Sequence, residues 1–195
     1  MIVSLQHRFV LLAMPKCASH ALSDAIGTRA DMVIRHPPGA KHCNFRKYQR
    51  HLRPFLQTFS ASPLATICMM REPVSWLESW WRYRQRPALE GHRNATHGLS
   101  FDAFVGRYLD GVAPGDTIGR QARFVADRDG AVGVDHLFAY ERIGDLAAWI
   151  SARSGWDLTL ERKNVSPEAE GYLTPEMRIR VKTELARDFE IYASL

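Results

Sequence analysis

Two short segments in the first half of the chain carry residue types that bind anions. Residues 15–20 read Pro-Lys-Cys-Ala-Ser-His, and residues 71–79 open with Arg-Glu-Pro and end in a serine. Lysine and arginine supply positive charge and serine supplies a hydroxyl donor, so both segments suit phosphate or sulfate groups. The first segment has no glycine, whereas the Walker A loop G-x-x-x-x-G-K-[ST] needs two. A magnesium-dependent ATP or GTP enzyme of that type is therefore disfavoured.

Each segment follows a predicted buried strand and leads into a predicted helix. Residues 7–14 and 64–70 are apolar runs with branched side chains, which is typical of buried strands. Helices are expected over residues 19–29, with Ser19 as the N-cap, and from Pro73 to about residue 86. The start of the first helix then offers unpaired N–H groups and a partial positive charge to an anion.

Strands and helices alternate along the rest of the chain. Further strands are predicted at residues 32–34 and 136–140, and further helices at residues 44–57, 100–109, 117–126, 143–154 and from Thr174 onward. This order predicts a single α/β domain over residues 1–195, with a central parallel sheet that helices cover on both faces. Ligands of such folds bind beyond the carboxyl ends of the strands, where both segments lie.

The charge of the chain is divided unevenly between its halves. The 195 residues carry a net charge of +5, but residues 1–99 carry +9 and residues 100–195 carry −4. Residues 32–70 include six lysines and arginines and no acidic residue. Because both candidate anion segments lie in the basic half, this charge indicates an anionic partner.

In order and spacing, the motifs resemble those of the sulfotransferase family over about 175 residues. The family's 5′-phosphosulfate loop has the form Pro-Lys-x-Gly/Ala-Ser/Thr, and its 3′-phosphate segment has Arg-x-Pro followed by a second arginine and then a serine. Between them, Lys41-His42 resembles a pair found in carbohydrate-type members. Later matches are Phe138-Ala139-Tyr140-Glu141, Lys163-Asn164-Val165-Ser166 and Asp188-Phe189-Glu190-Ile191-Tyr192.

This resemblance implies a three-layer α/β/α, P-loop-like fold and a sulfuryl donor, 3′-phosphoadenosine 5′-phosphosulfate (PAPS). The residues that would hold the 5′-phosphosulfate are Lys16, Cys17, Ala18, Ser19 and His20, and those for the 3′-phosphate are Arg71 and Ser79. The acceptor would be a hydroxyl of a small molecule or glycan, with a saccharide or glycolipid favoured. No metal is expected, because the three cysteines lack ligand spacing.

Three positions depart from the family pattern. Ala18 stands where glycine is common, so the turn is expected to close without a positive φ there. His20 replaces a usual serine or threonine. Trp76 occupies the place of a second arginine, so Arg82 or Arg84 would complete the contacts to the 3′-phosphate. Trp76 itself is expected to pack in the core.

Sulfuryl transfer needs a positive charge at the leaving oxygen and a base for the acceptor hydroxyl. Lys16 is the candidate for the first role. His42 is the first choice for the second, because the resemblance places it in the family's Lys-His pair and because the neighbouring Lys41 favours a neutral imidazole. The reserve bases, which are left open, are His36, His20 and Glu72. Replacement of either Lys16 or His42 by alanine is expected to abolish turnover and leave the fold intact.

Two other functions stay open at this point. Residues 35–53 are rich in arginine with Phe45 and Tyr48 interleaved, which suits a nucleic-acid-binding or nucleotide-binding module without catalysis. A small-molecule kinase on a related fold is the other alternative. The longest apolar run near the start covers only residues 9–14, so neither a signal sequence nor a membrane span is expected. The absence of such segments predicts a cytoplasmic protein without integral membrane association. The sulfotransferase resemblance accounts for the basic charge and so implies no nucleic-acid partner, and the oligomeric state is not predicted.

Overall fold

The computed structural model describes residues 1–160 and 171–195, which form two compact units. The first unit contains Met1–Arg71, residues 121–160 and Leu195, and the second contains Glu72–Arg120 and residues 171–194. The expectation of a single domain stays a prediction. The Lys163–Ser166 segment, which the family resemblance singled out, lies outside the described residues.

The first unit is built on a five-stranded mixed sheet. Its strands are β1 (Ile2–Ser4), β2 (Phe9–Leu12), β3 (Met32–Val33), β4 (Ala65–Met70) and β5 (His136–Ala139), in the order β3-β1-β2-β4-β5. Strands β2, β4 and β5 are parallel, whereas β1 runs antiparallel to both β2 and β3. The α/β class is therefore confirmed, but the prediction of an all-parallel sheet is wrong. The reason is β1, since a link of only four residues to β2 permits only antiparallel pairing.

The helices of the described residues follow the sequence predictions with shifted ends. They are α1 (Ser19–Ile26), α2 (Pro38–Lys41), α3 (Phe45–Lys47), α4 (Arg53–Gln57), α5 (Pro73–Tyr83), α6 (Phe101–Asp110), α7 (Gln121–Val125), α8 (Ile143–Ser154), α9 (Pro175–Glu184) and α10 (Ala186–Ala193). Short 3₁₀ turns cover Pro87–Leu89 and Tyr140–Arg142. The predicted final helix is divided at Leu185, and α2 falls between the strand predicted at residues 32–34 and the helix predicted at residues 44–57, where no element was expected.

The predicted helix over residues 44–57 is interrupted by a π-helical turn, Tyr48–Leu52, between α3 and α4. At its end the N–H of Arg53 donates to the carbonyl oxygen of Tyr48, five residues back. Pro54 follows in the first turn of α4, where its missing N–H costs no hydrogen bond. Pro54 therefore coincides with an interruption of the predicted helix, in the form of a widened turn before the proline.

The core of the first unit lies against the sheet. Every residue of β2 is buried, and so are five of the six residues of β4. Leu22 and Ile26 of α1 and Leu146 and Ile150 of α8 are also at most 2% exposed. Burial of aliphatic side chains on this scale supplies most of the stabilisation of a small α/β unit.

The second unit is helical, with α5 packed against α6 and α10, and α9 against α6 and α10. Ser100, the first residue of a predicted helix, caps α6 by accepting the N–H of Ala103 over 3.2 Å. Thr174 caps α9 in the same way, and its own N–H and hydroxyl both donate to Asp102. These caps fix the helix starts from local sequence. Among the described residues, no helix is long and apolar enough to cross a bilayer.

Candidate functional site

The turn between β2 and α1 has an unusual backbone. Lys16 has φ of 65° and Ala18 has φ of 52°, which is the left-handed region that favours glycine. The expectation that the turn closes without a positive φ at Ala18 is therefore wrong. Alanine can adopt this backbone conformation, but its Cβ then comes close to the following carbonyl oxygen, which costs roughly 1 kcal/mol.

The amino end of α1 lacks a side-chain cap. Ala18, not Ser19, is the N-cap residue, and no side chain there accepts a hydrogen bond from the helix. The prediction of Ser19 as the N-cap is thus wrong by one position, because the left-handed Ala18 lets the helix begin at Ser19. Lys16 and Ser19 are half-buried beside this end. An uncapped helix start after a turn of positive φ is a geometry that accommodates anions.

Lys41 and His42 lie at the end of α2, which brings them against the β2–α1 region. The N–H of His42 donates to the carbonyl oxygen of Pro38 over 2.9 Å. The Nδ1 atom of His42 lies 2.6 Å from the carbonyl oxygen of Ala13. A carbonyl can only accept, so Nδ1 carries the proton and Nε2 keeps its lone pair. Burial lowers the pKa of His42, and the charge of Lys41 lowers it further.

His20 and Lys41 contact each other directly. The Nζ of Lys41 lies 3.1 Å from Nε2 of His20, so the ammonium donates to the ring nitrogen. Partial burial and the charge of Arg35 lower the pKa of Lys41. The Nε2 lone pair of His20 is therefore occupied, which makes His20 a poorer base than His42.

Arg71 follows the carboxyl end of β4 and is held from two sides. Its N–H donates to Oε1 of Gln121 over 3.0 Å, and its carbonyl oxygen accepts from Nε2 of Gln121 over 2.8 Å. Its guanidinium lies 4.5 Å from the ring centroid of Tyr140, just after β5. Since β2, β4 and β5 are parallel, their carboxyl ends bring Lys16, Arg71 and Tyr140 to one edge of the sheet.

Cys17 is buried within the turn. Its Sγ lies 4.0 Å from Oε1 of Gln121, the same atom that accepts from Arg71. Burial raises the pKa of Cys17 well above its ordinary value. The thiol is therefore a packing group that connects the turn to Gln121, and a nucleophilic role is disfavoured.

The remaining site residues from the sequence belong to the second unit. Ser79 lies on α5 and is 8% exposed. Trp76 is buried with its ring 6.2 Å from Trp80 and 6.5 Å from Tyr108, so the prediction that it packs in the core is confirmed. Glu72 caps α5 by accepting the N–H of Ser75 over 2.6 Å, which leaves it a structural role.

The two arginines considered for the 3′-phosphate also have partners within the second unit. Arg82 pairs with Glu78 at 2.9 Å. Arg84 is buried, donates to the hydroxyl of Thr117 over 2.7 Å, and lies 5.3 Å from the ring of Trp80. Burial lowers the pKa of Arg84. Neither guanidinium is a freely mobile surface group.

A cavity of about 150 Å³ opens beside α1 in the first unit. Its polar lining comprises Ser19, His20, Ser23, Asp24, Arg35, His36 and Lys41. His36, a reserve base, is exposed at this cavity. The cavity thus adjoins the uncapped end of α1 and carries more cationic than acidic side chains.

Gln121 is the site residue that the sequence did not indicate. It is 1% exposed and lies 50 residues from the arginine that it holds. No local pattern marks a glutamine that satisfies backbone groups of a distant strand end. The sequence hints at its role only in that Gln121 is a polar residue on the buried face of α7, which it shares with the apolar Ala122 and Val125.

In the part of the chain that the structure describes, no three His, Cys, Asp or Glu side chains lie close enough to share a metal ion. Phe45 and Tyr48, the aromatic residues of the nucleic-acid alternative, are 4% and 1% exposed. Their rings are therefore unavailable for stacking on bases. Comparison with protein-family models, with curated proteins and with solved structures finds no match to this chain.

Proposed function

We propose that this chain is a sulfotransferase that moves a sulfuryl group from PAPS to a hydroxyl of a small-molecule or glycan acceptor. The observation that carries the proposal is the position of His42. A neutral imidazole with an open Nε2 is held by Ala13, three residues before the cationic turn at Lys16. Base and cation therefore occupy one end of β2, as transfer from an anionic donor to a hydroxyl requires.

The turn and the start of α1 support the donor assignment. The residues proposed to surround the 5′-phosphosulfate are Lys16, Cys17, Ala18, Ser19 and His20. The uncapped N–H groups of α1 and the half-buried Lys16 supply hydrogen bonds and charge. Cys17 and Ala18 contribute through the backbone, since the thiol is buried and protonated.

The assignment of Arg71 and Ser79 to the 3′-phosphate comes from the family resemblance. Arg71 supports it with a guanidinium at the carboxyl edge of the sheet, where its backbone is fixed by Gln121. A fixed backbone reduces the conformational entropy lost when a flexible arginine binds a phosphate.

The chemistry is an in-line displacement at sulfur. Nε2 of His42 accepts the proton of the acceptor hydroxyl while the acceptor oxygen bonds to sulfur. The bond between sulfur and the bridging phosphate oxygen breaks, and Lys16 stabilises the negative charge left on that oxygen. The products are a sulfate ester and 3′-phosphoadenosine 5′-phosphate, and the proton stays on His42 until solvent removes it.

Thermal unfolding with nucleotides tests the donor site. We expect 3′-phosphoadenosine 5′-phosphate to raise the melting temperature more than AMP does, since AMP lacks the 3′-phosphate. Lys16→Ala should weaken this stabilisation, whereas Lys47→Ala, on the exposed side of α3, should leave it unchanged. Stabilisation by ATP with magnesium but not by the bisphosphate would contradict the proposal and indicate a kinase.

Transfer assays test the reaction itself. Radiolabelled PAPS should label at least one member of a panel of sugars, glycolipids and phenols. Lys16→Ala and His42→Ala should each abolish the label while circular dichroism stays that of the parent protein. Near-parental turnover in either variant would remove that residue from its proposed role.

A further inference from the structure

One face of the α3–π–α4 segment is exposed and changes from basic to aromatic along its length. Its members recur at spacing four and form what we call the basic–aromatic stripe: Arg46, Lys47, Arg50, His51, Pro54, Phe55 and Phe59. The opposite face, which carries Phe45, Tyr48 and Leu56, is buried. The stripe is therefore the solvent face of an element firmly packed into the first unit.

The aromatic end of the stripe exposes two phenylalanine rings to solvent. Phe55 is 50% exposed and Phe59 is 62% exposed, and their rings form an edge-to-face pair with centroids 5.2 Å apart. Residues 54–70 contain no charged side chain. Two neighbouring phenyl rings exposed to this extent are costly to leave in water.

The basic end of the stripe exposes positive charge to solvent. Arg46, Lys47 and Arg50 are exposed. Arg46 and Arg50 border a cavity with Asp127, Arg128 and Asp129, and the cations there still outnumber the carboxylates. A surface with cations at one end and phenyl rings at the other matches the boundary of an anionic bilayer. There, the cations lie at the phosphates and the rings reach the first carbons of the acyl chains.

We propose that the basic–aromatic stripe docks the protein on the surface of anionic lipid bilayers. Nucleic acid fits less well, because its phosphates and bases alternate and demand cations beside the stacking rings, whereas this aromatic end has none. A second copy of the chain fits less well too, because pairing two such stripes side by side would oppose like charges.

The aromatic end of the stripe lies far along β4 from Arg71. Residues 58–64 lead from Phe59 into the amino end of β4, whereas Arg71 follows the carboxyl end of the same strand. Six residues of strand separate these ends by about 20 Å. The phenyl rings would thus enter the bilayer near the end of β4 opposite to Arg71, whereas the basic end of the stripe begins at Arg46, four residues after His42. The inference does not depend on the proposed sulfuryl transfer.

Vesicle flotation tests the docking. The full chain should float with vesicles of phosphatidylcholine and phosphatidylglycerol, and poorly with phosphatidylcholine alone or in high salt. The variant Phe55→Gln/Phe59→Gln should lower the partition coefficient by about tenfold or more. The matched control Tyr172→Gln/Ile179→Gln, which removes two side chains that are each 68% exposed in the second unit, should float as the parent does.

Three results would overturn the proposal. The first is flotation that is absent, or that is equal for the parent and the phenylalanine variant. The second is tighter binding of a single-stranded oligonucleotide that displaces the protein from vesicles, which would assign the stripe to nucleic acid. The third is a lipid-free dimer in sedimentation velocity that the phenylalanine variant dissociates. Equal melting temperatures of parent and variants verify that each comparison is made on folded protein.

Discussion

The Nδ1–H of His42 donates to the carbonyl oxygen of Ala13 over 2.6 Å. This bond connects the end of α2 to the end of β2 and fixes the tautomer of the ring. Because burial and Lys41 also lower the pKa of His42, the ring is neutral at neutral pH with Nε2 open. A histidine among eight in the sequence thus acquires the state that a general base needs.

The state of His42 predicts an acid limb in the activity profile. With the pKa below its ordinary value of 6.5, kcat/KM should stay level above pH 6.5 and fall as the pH drops further. His42→Gln should lower turnover by about 10²–10⁴-fold and remove this limb from the residual activity. The control His36→Gln, at an exposed position, should retain the parental profile. A parental limb in His42→Gln would contradict the assignment.

The same shift predicts how stability depends on pH. Well above pH 6.5 His42 is neutral in the folded and the unfolded chain, so it contributes nothing to the pH dependence there. Below pH 6.5 the unfolded chain takes up the proton more readily, so the contribution of His42 lowers stability as the pH falls. Denaturant unfolding of the parent and His42→Gln at two pH values measures this. An identical pH dependence in both would show that His42 does not titrate abnormally.

The left-handed backbone of Ala18 predicts that glycine stabilises the protein there. Ala18→Gly should raise the free energy of unfolding by about 0.5 kcal/mol, because it relieves the strain at φ of 52° and loses part of the gain to chain entropy. The same change in the middle of α8, Ala148→Gly, should lower it by about 1 kcal/mol. Urea unfolding measures both. A loss at both positions would mean that Ala18 is not strained.

The two hydrogen bonds of Gln121 to the backbone of Arg71 predict a large effect of their removal. Gln121→Leu keeps the volume and should lower the free energy of unfolding by about 2 kcal/mol, since a buried N–H and a buried carbonyl lose their partner. Gln57→Leu, at an exposed position of α4, should change it by less than about 0.5 kcal/mol. We expect Gln121→Leu also to weaken binding of 3′-phosphoadenosine 5′-phosphate. Unaltered stability would show that water replaces the two hydrogen bonds of Gln121 to the backbone of Arg71.

Burial predicts that the cysteines are inert in the folded protein. Cys17, Cys43 and Cys68 are all buried, and burial raises the pKa of each thiol. A thiol reagent such as dithionitrobenzoate should therefore react only as fast as the protein unfolds, and with all three in denaturant. Rapid labelling of Cys17 in native protein would show that the turn opens, and would restore a chemical role for this residue.

The sequence determined the elements that depend on near neighbours. Strand burial and helix capping are decided within a few residues, so the sequence itself indicates them. This applies to the apolar runs that form β2 and β4, to the caps Ser100 and Thr174, and to the glycine that ends α8. The sequence indicated the cationic turn before α1 for the same reason. It did not indicate the left-handed backbone of Ala18, since positive φ is typical of glycine and not of alanine.

Tertiary structure decided the relations that join distant parts of the chain. The three residues of β1 turned an expected parallel sheet into a mixed one through pairings on both of its sides. Ala13 set the tautomer of His42 from 29 residues away, and Gln121 fixed Arg71 from 50 residues away. Such contacts depend on shape and burial after folding, which neither periodicity nor motif spacing encodes. The sequence therefore supplied the residues of the candidate site, and the fold supplied their protonation and support.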